Sequence, residues 1–149
     1  FDRADACGEG SQHASLYESV ITELHAQEAA RFQVEVVRLD ALVNGLGLNE
    51  IDLLKIDTEG HELEVLRGAT RLIVENVIKV VHIEFNEMNI ISRVFLRDFV
   101  SFLPNYQAYR LLPNGVIRIP KTPVYSEIFG FQNVIFLRKD LVKRAILGS

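Results

Sequence analysis

Cysteine is nearly absent. Cys7 is the one thiol in 149 residues, so no internal disulfide and no cysteine cluster for a metal can form. Long apolar runs are missing as well. Nothing approaches the ~18 consecutive apolar residues of a membrane helix, and Phe1-Asp2-Arg3-Ala4-Asp5 does not open a secretory signal. Positive charge is in deficit: 16 Lys and Arg stand against 20 Asp and Glu, for a net charge of -4. With no basic cluster either, nucleic acid is excluded as the main partner. A glycine-rich phosphate loop is lacking too. Cys7-Gly8-Glu9-Gly10 has the glycines, but such a loop must follow an apolar strand and open a helix. Only Phe1 to Ala6, carrying three charges, precede it. No internal repeat and no low-complexity segment occurs. What is left, 48% hydrophobic and 24% charged, is the composition of a globular protein of one-domain length. We read it as cytoplasmic, with no membrane partner.

The informative stretch runs from Ile51 to Ala69. Ile51 to Ile56 is a short apolar run of strand length and branching. Asp57 and Glu59 follow at once. Leu63, Leu66, Ala69, Ile73 and Val77 then fall on one stripe at spacings of three and four, which predicts a single amphipathic helix. Strand, acidic turn and helix make the βα corner of an open α/β sheet, where ligands bind beyond the carboxyl ends of the strands.

The rest of the chain extends this pattern. Leu16 to Ala30 is partly helical in pattern, and Phe32 to Leu39 alternates as a strand. Asp40 is placed to cap a short helix through Leu46, ended by Gly45 and Gly47. Ile78 to Phe85, dense in Val and Ile, reads as a second buried strand. Asn86 to Asn89 reads as a loop. Ile91, Val94, Phe95, Phe99 and Phe102 give another helix, stopped at Pro104-Asn105. Tyr106 to Leu112, the turn Pro113-Asn114-Gly115 and Val116 to Ile119 predict a hairpin. A loop flanked by Pro120 and Pro123, a last strand from Asn133 to Leu137 and a mixed-charge tail from Lys139 to Leu147 complete the chain.

Lys55-Ile56-Asp57-Thr58-Glu59-Gly60-His61-Glu62, continuing Leu63-Glu64-Val65-Leu66-Arg67-Gly68-Ala69, resembles the signature of the FkbM-type methyltransferases, a branch of the S-adenosylmethionine-dependent enzymes. Val34 to Asp40 is similar to the strand and Leu-Asp segment that precede that signature. Ala14-Ser15-Leu16-Tyr17 resembles the family's Ser-Ser-Leu loop, with Ala14 departing from it. Val81-His82-Ile83-Glu84 resembles its next strand. The resemblance implies an α/β fold, the C-terminal half of a doubly wound (Rossmann-like) methyltransferase sheet, mixed and with an antiparallel end. It implies S-adenosylmethionine as cofactor and a small-molecule acceptor, a sugar or secondary-metabolite hydroxyl. The family's first half, with its glycine-rich turn and ribose-binding acid, has no counterpart here. Without a neighbour, Ile51 to Ile56 becomes an apolar sheet edge, which invites pairing. We therefore expect a homo-oligomer, cover from the N-terminal segment, or a missing N-terminal half. The alternative function is a catalytically inactive truncated domain that binds a partner or itself through that edge.

Methyl transfer from a sulfonium is an in-line displacement, for which the enzyme supplies orientation and a base. A carboxylate pressed on the sulfonium favours the charged ground state over the transition state. Asp57, beside the cofactor by resemblance, is therefore cast as orienter or as base for the acceptor. The competing account is a helix cap, or a pair with Lys55 on the same strand face. Glu59, an acid facing the pocket by resemblance, competes with simple preference for a helix N-terminus. Glu62 has that explanation alone. Glu84, ending the next strand, is the second expected catalytic carboxylate and touches the acceptor with Asn86; a structural pair with Lys55 competes. Thr58 reads as a cap, and Gly60 as allowing close approach of helix and ligand. His61 reads as a surface residue and His82 as a hydrogen-bonded core residue, while His13 and His25 carry no pattern. Asp57, Glu59, Glu84 and His82 suit a divalent ion by type, but their spacing is not diagnostic and no metal is expected.

Overall fold

The computed structural model describes residues 2–3, 14–24, 26, 28–120 and 122–142. Cys7, the Gly8 to Ser11 loop, His13, His25 and the tail beyond residue 142 lie outside the described residues.

Five strands form the main sheet, in the spatial order Ile51–Ile56, Ile78–Phe85, Gln132–Arg138, Tyr106–Leu112 and Gly115–Arg118. The branched run expected from the sequence becomes β3 (Ile51–Ile56), and the Val- and Ile-rich run becomes β4 (Ile78–Phe85). They pair in parallel, from Ile51 opposite Ile78 to Ile56 opposite Ile83. The polypeptide then finishes antiparallel. β5 (Tyr106–Leu112) and β6 (Gly115–Arg118) form a hairpin closed between Leu112 and Gly115, so Pro113-Asn114 is a two-residue turn. β7 (Gln132–Arg138) inserts between β4 and β5, antiparallel to both. This mixed α/β sheet with an antiparallel end is the architecture expected of a partial doubly wound fold.

Side chains alternate across the sheet. Ile56, Val81, Ile83, Phe85, Ala108, Val134 and Phe136 share one buried face. They join Leu63, Leu66, Ala69, Leu72, Leu96, Phe99 and Leu103 in one core. The opposite face holds Leu53, Lys55, Val80, His82, Glu84, Ile135 and Tyr109. Leu53, on the edge strand, remains 56% exposed. Among the described residues, β3 pairs on one side only.

Several expectations are corrected by partners that are distant in sequence. Residues 31–38 form no strand: Phe32, Val34, Val36 and Val37 are all exposed, and an alternating pattern without a neighbour to hydrogen-bond yields no ladder. Asp40 does not cap its own helix, α1 (Leu39–Gly45), whose N-cap is Arg38. Its carboxylate instead accepts from the backbone N–H groups of Arg71 (3.3 Å) and Leu72 (3.2 Å). It thereby caps α3 (Thr70–Val74) from across the fold.

The signature helix is two helices, α2 (Glu62–Arg67) and α3. They part at Gly68, where the backbone of Arg38 and Leu39 crosses: a Cβ on Gly68 would lie 3.6 Å from Leu39 N and 3.2 Å from Val65 O. Asp40 N also donates to Gly68 O at 2.9 Å, so that carbonyl is drawn out of the ladder. The next helix divides too, into α4 (Met88–Ser92) and α5 (Leu96–Phe102). Arg93, at φ +57, ends the first, and Asp98 accepts from Phe95 N at 2.8 Å to open the second. In the loop after the hairpin, α6 (Pro123–Ser126) makes one turn. Of the N-terminal segment, Val20–Leu24 is a π-helical turn with Val20 and Ile21 fully buried. Two further short strands, β1 (Asp2–Arg3) and β2 (Ala29–Ala30), pair antiparallel apart from the main sheet.

Candidate active site

The parallel register of β3 and β4 builds the site. Because Ile56 lies opposite Ile83, Asp57 leaves the end of β3 beside Glu84. Both carboxylates point to the open face, shared with Lys55 and His82. The Lys55 ammonium joins them: Nζ lies 2.6 Å from Asp57 Oδ2 and 4.0 Å from Glu84 Oε1. The hydrogen bond to Asp57 holds the Lys55 ammonium above its ordinary pKa. Glu84 is the more enclosed acid, its side chain 20% exposed against 41% for Asp57. Burial, and then the Asp57 charge, push its carboxyl above the ordinary glutamate value, while Lys55 and His82 pull against the rise. His82 shares a 2.7 Å hydrogen bond with Asn133 Oδ1, and Asn133 pairs across the ladder with Glu84. His82 is hydrogen-bonded as expected, but it stands on the open face rather than in the core.

The turn from Asp57 to Gly60 is held from below by Glu62. That side chain is 2% exposed. Its Oε1 accepts from Thr58 N (3.0 Å), Thr58 Oγ1 (3.2 Å) and Gly60 N (3.1 Å). Oε2 is buried with no hydrogen-bond partner among the described residues. Glu62 is therefore a clamp on the acidic turn and not merely a first-turn acid. Thr58 donates to Glu62, and α2 has no side-chain cap. Gly60 has φ +98, and a Cβ there would stand 3.1 Å from Met88 O. The close approach it permits here is to the start of α4. Glu59 sits half-buried in the turn at φ +51, and its carbonyl accepts from Ser15 Oγ at 2.8 Å.

Residues far back in the chain complete the corner. Tyr17 packs on His61, with ring centroids 5.7 Å apart and Tyr17 Oη 3.4 Å from His61 Nδ1. His61 is thus half-buried under Tyr17 rather than a bare surface residue. Asn86 is buried, and its Oδ1 accepts from Met88 N at 2.9 Å while its own N–H donates to Asn89 Oδ1 at 3.0 Å. Its carboxamide oxygen shapes the loop beyond Glu84.

The geometry thus brings Asp57 and Glu84 together, puts Glu59 on the same turn, and sets Asn86 into the adjoining loop. Sequence reasoning missed the clamp by Glu62, the Asn133 contact and the packing of Ser15 and Tyr17. The Ser-Leu-Tyr segment was the available signal for the last of these; Asn133 offered none. Among the described residues no group of three or more His, Cys, Asp or Glu is arranged to hold a metal ion. No helix among them is long and apolar enough to cross a membrane.

A mixed α/β sheet with one acid just past the end of a parallel strand and a second near the end of its neighbour is the architecture of a partial α/β domain of the doubly wound class. The chain belongs to the FkbM methyltransferase family: the model of the methyltransferase FkbM domain matches residues 5–111, more than half of the 149. Searches of curated proteins and of solved structures find no match.

A methyltransferase needs a methyl donor, and the family's is S-adenosylmethionine by the resemblance above. The residues present fit one part of that molecule. The Asp57 carboxylate suits the ammonium of its amino-acid end, whereas the described residues contain no glycine-rich strand-to-helix turn for its nucleoside.

Proposed function

We propose that this domain serves S-adenosylmethionine-dependent transfer of a methyl group to a hydroxyl of a sugar or secondary metabolite. The observation that carries the reading is the convergence of Asp57 and Glu84 on Lys55 at the open ends of β3 and β4. When bound, the donor supplies an electrophilic methyl group. The chain's own residues handle the acceptor. Glu84, whose proton affinity is raised by burial and by Asp57, takes the hydroxyl proton on its carboxylate; raised basicity favours that task. Asp57, fixed by the short bond to Lys55, orients the acceptor and faces the donor. Glu59 adds negative charge on the same turn, and Asn86 sets the loop that borders the acceptor.

Calorimetric titration with S-adenosylmethionine tests this directly. Saturable heat is expected, weakened at least about tenfold in Asp57→Ala, a loss of ~1.4 kcal/mol. Absence of heat at millimolar donor removes the enzymatic reading for this polypeptide. Saturable heat unaltered by Asp57→Ala removes Asp57 from the donor site.

A further inference from the structure

We propose a second binding site, for a small organic anion with an apolar body, in the cavity between α5, α6 and the β5–β6 hairpin. The cavity measures about 430 Å³, within the ~300–1,000 Å³ usual for small-molecule sites. It is separate from the acidic corner. Tyr106, in its wall, donates its hydroxyl to Ile78 O at 2.6 Å, at the start of β4. Glu84 lies near the other end of that strand, six residues on, or roughly 20 Å at strand rise.

The lining has the chemistry of an anion site. Its floor is mostly apolar and buried, with Tyr106, Ala108 and Ile119 each no more than 6% exposed. Three cations stand around it, Arg97, Arg118 and Lys139, and among the described residues no acid lines it. This concentration of one sign occurs in a chain whose net charge is -4. Neighbouring acids are already engaged. Glu127 accepts from the backbone N–H groups of Leu96 and Arg97 at 2.8 and 2.9 Å. Asp140 is bound by Arg138 at 2.7 and 3.1 Å. Among the described residues no carboxylate pairs with Arg118.

Two of the three cations are held in place. The Arg97 guanidinium lies 4.6 Å from the centroid of the Phe95 ring, and Lys139 Nζ donates to Pro104 O at 2.6 Å. Pro104, Pro120 and Pro123 stiffen the walls, so little ordering is left for a ligand to drive. An acid group on a flat apolar body meets both halves of this lining. Arginine forks receive a carboxylate or a phosphate equally, and the apolar floor receives the body.

The test follows backbone amide shifts of the whole chain by NMR during titration with 1-naphthoate, 1-naphthamide and phenyl phosphate. Saturable shifts at Val100, Ala108 and Ile119 are expected with naphthoate and not with the neutral amide. Arg118→Gln, an exposed change that leaves the fold intact, should weaken binding at least about fivefold, as expected for loss of a charge-assisted bond. Arg93→Gln, outside the cavity, should leave it unchanged. Tighter binding of phenyl phosphate than of naphthoate assigns the site to phosphate esters; the reverse assigns it to carboxylates. No saturation by about 10 mM, equal binding of naphthamide, or indifference to both Arg118→Gln and Arg97→Gln overturns the proposal. The methyl donor takes no part, so failure here leaves the methyl-transfer reading standing, and the converse holds.

Discussion

Replacing Glu62 should unfasten the acidic turn. In the folded chain one carboxylate oxygen accepts three hydrogen bonds, from Thr58 N, Thr58 Oγ1 and Gly60 N. Glu62→Ala removes all three hydrogen bonds and leaves two backbone N–H groups without partners. Gly60 N is buried, and an orphaned buried donor costs ~1–3 kcal/mol. Thr58 is half-buried and recovers part of its loss from water. Against this, the burial of Oε2 without a partner is a cost that truncation relieves. The net expectation is a loss of ~2–3 kcal/mol. Glu62→Gln keeps an oxygen where Oε1 stands, but gives up the charge assistance and puts an unpartnered amide where Oε2 is buried, so it should lose less than Glu62→Ala, ~1–2 kcal/mol. Urea unfolding of the three proteins measures both values, with unchanged m values showing that the transition itself is unaltered. Amide exchange at Thr58 and Gly60 should quicken in Glu62→Ala and stay slow in Glu62→Gln. A Glu62→Ala protein within about 0.5 kcal/mol of the parent, with both amides still protected, refutes the clamp.

Glu84 should govern a pH-dependent part of stability. Its folded proton affinity is raised, so its charged form costs stability above the folded pKa, and the cost vanishes below the unfolded value. Glu84→Gln should therefore gain in melting temperature relative to the parent as pH rises from about 4 to 8; a gain that grows toward acid contradicts the assignment. In Lys55→Met, which removes the charge that opposes the rise, the Glu84 carboxyl should titrate at still higher pH by NMR. Gly60→Ala places a Cβ at φ +98 against Met88 O, and should lose ~1–3 kcal/mol in denaturant; a neutral result shows that α4 yields freely. Leu53→Lys puts a charge on the one-sided edge strand β3. Self-association of the parent through that edge should appear in sedimentation and disappear in the variant; an equally monomeric parent ends the homo-oligomer proposal.

Much of the core architecture was legible because it is local. Ile51 to Ile56 and Ile78 to Phe85 have the branching and length of buried strands, and both are strands with the expected limits. Pro113-Asn114-Gly115 marked the hairpin for the same reason, although Gly115 itself opens β6. Reading failed where a distant segment intervened. The stripe from Leu63 to Val77 has the period of one helix, and its residues do face the core. The break at Gly68 comes from Arg38 and Leu39 crossing there, which no helical period records. Phe32 to Leu39 alternates like a strand, yet a strand exists only with a neighbour to share its hydrogen bonds.

The sequence alone determined which residues could be strands, that an acidic turn follows the first of them, and that the chain belongs with the FkbM methyltransferases. These are properties of short, contiguous runs, in which periodicity and residue type act over a few positions. Only the tertiary structure decided which acids lie together. The parallel register set Asp57 beside Glu84 and gave them Lys55 in common. Folding over longer distances turned Asp40 toward α3 and seated Tyr17 on His61. Packing buried Glu62 beneath its own turn. A charge acquires its partner, and with it its proton affinity, from whatever the fold brings within a few ångströms, and linear spacing does not encode that distance.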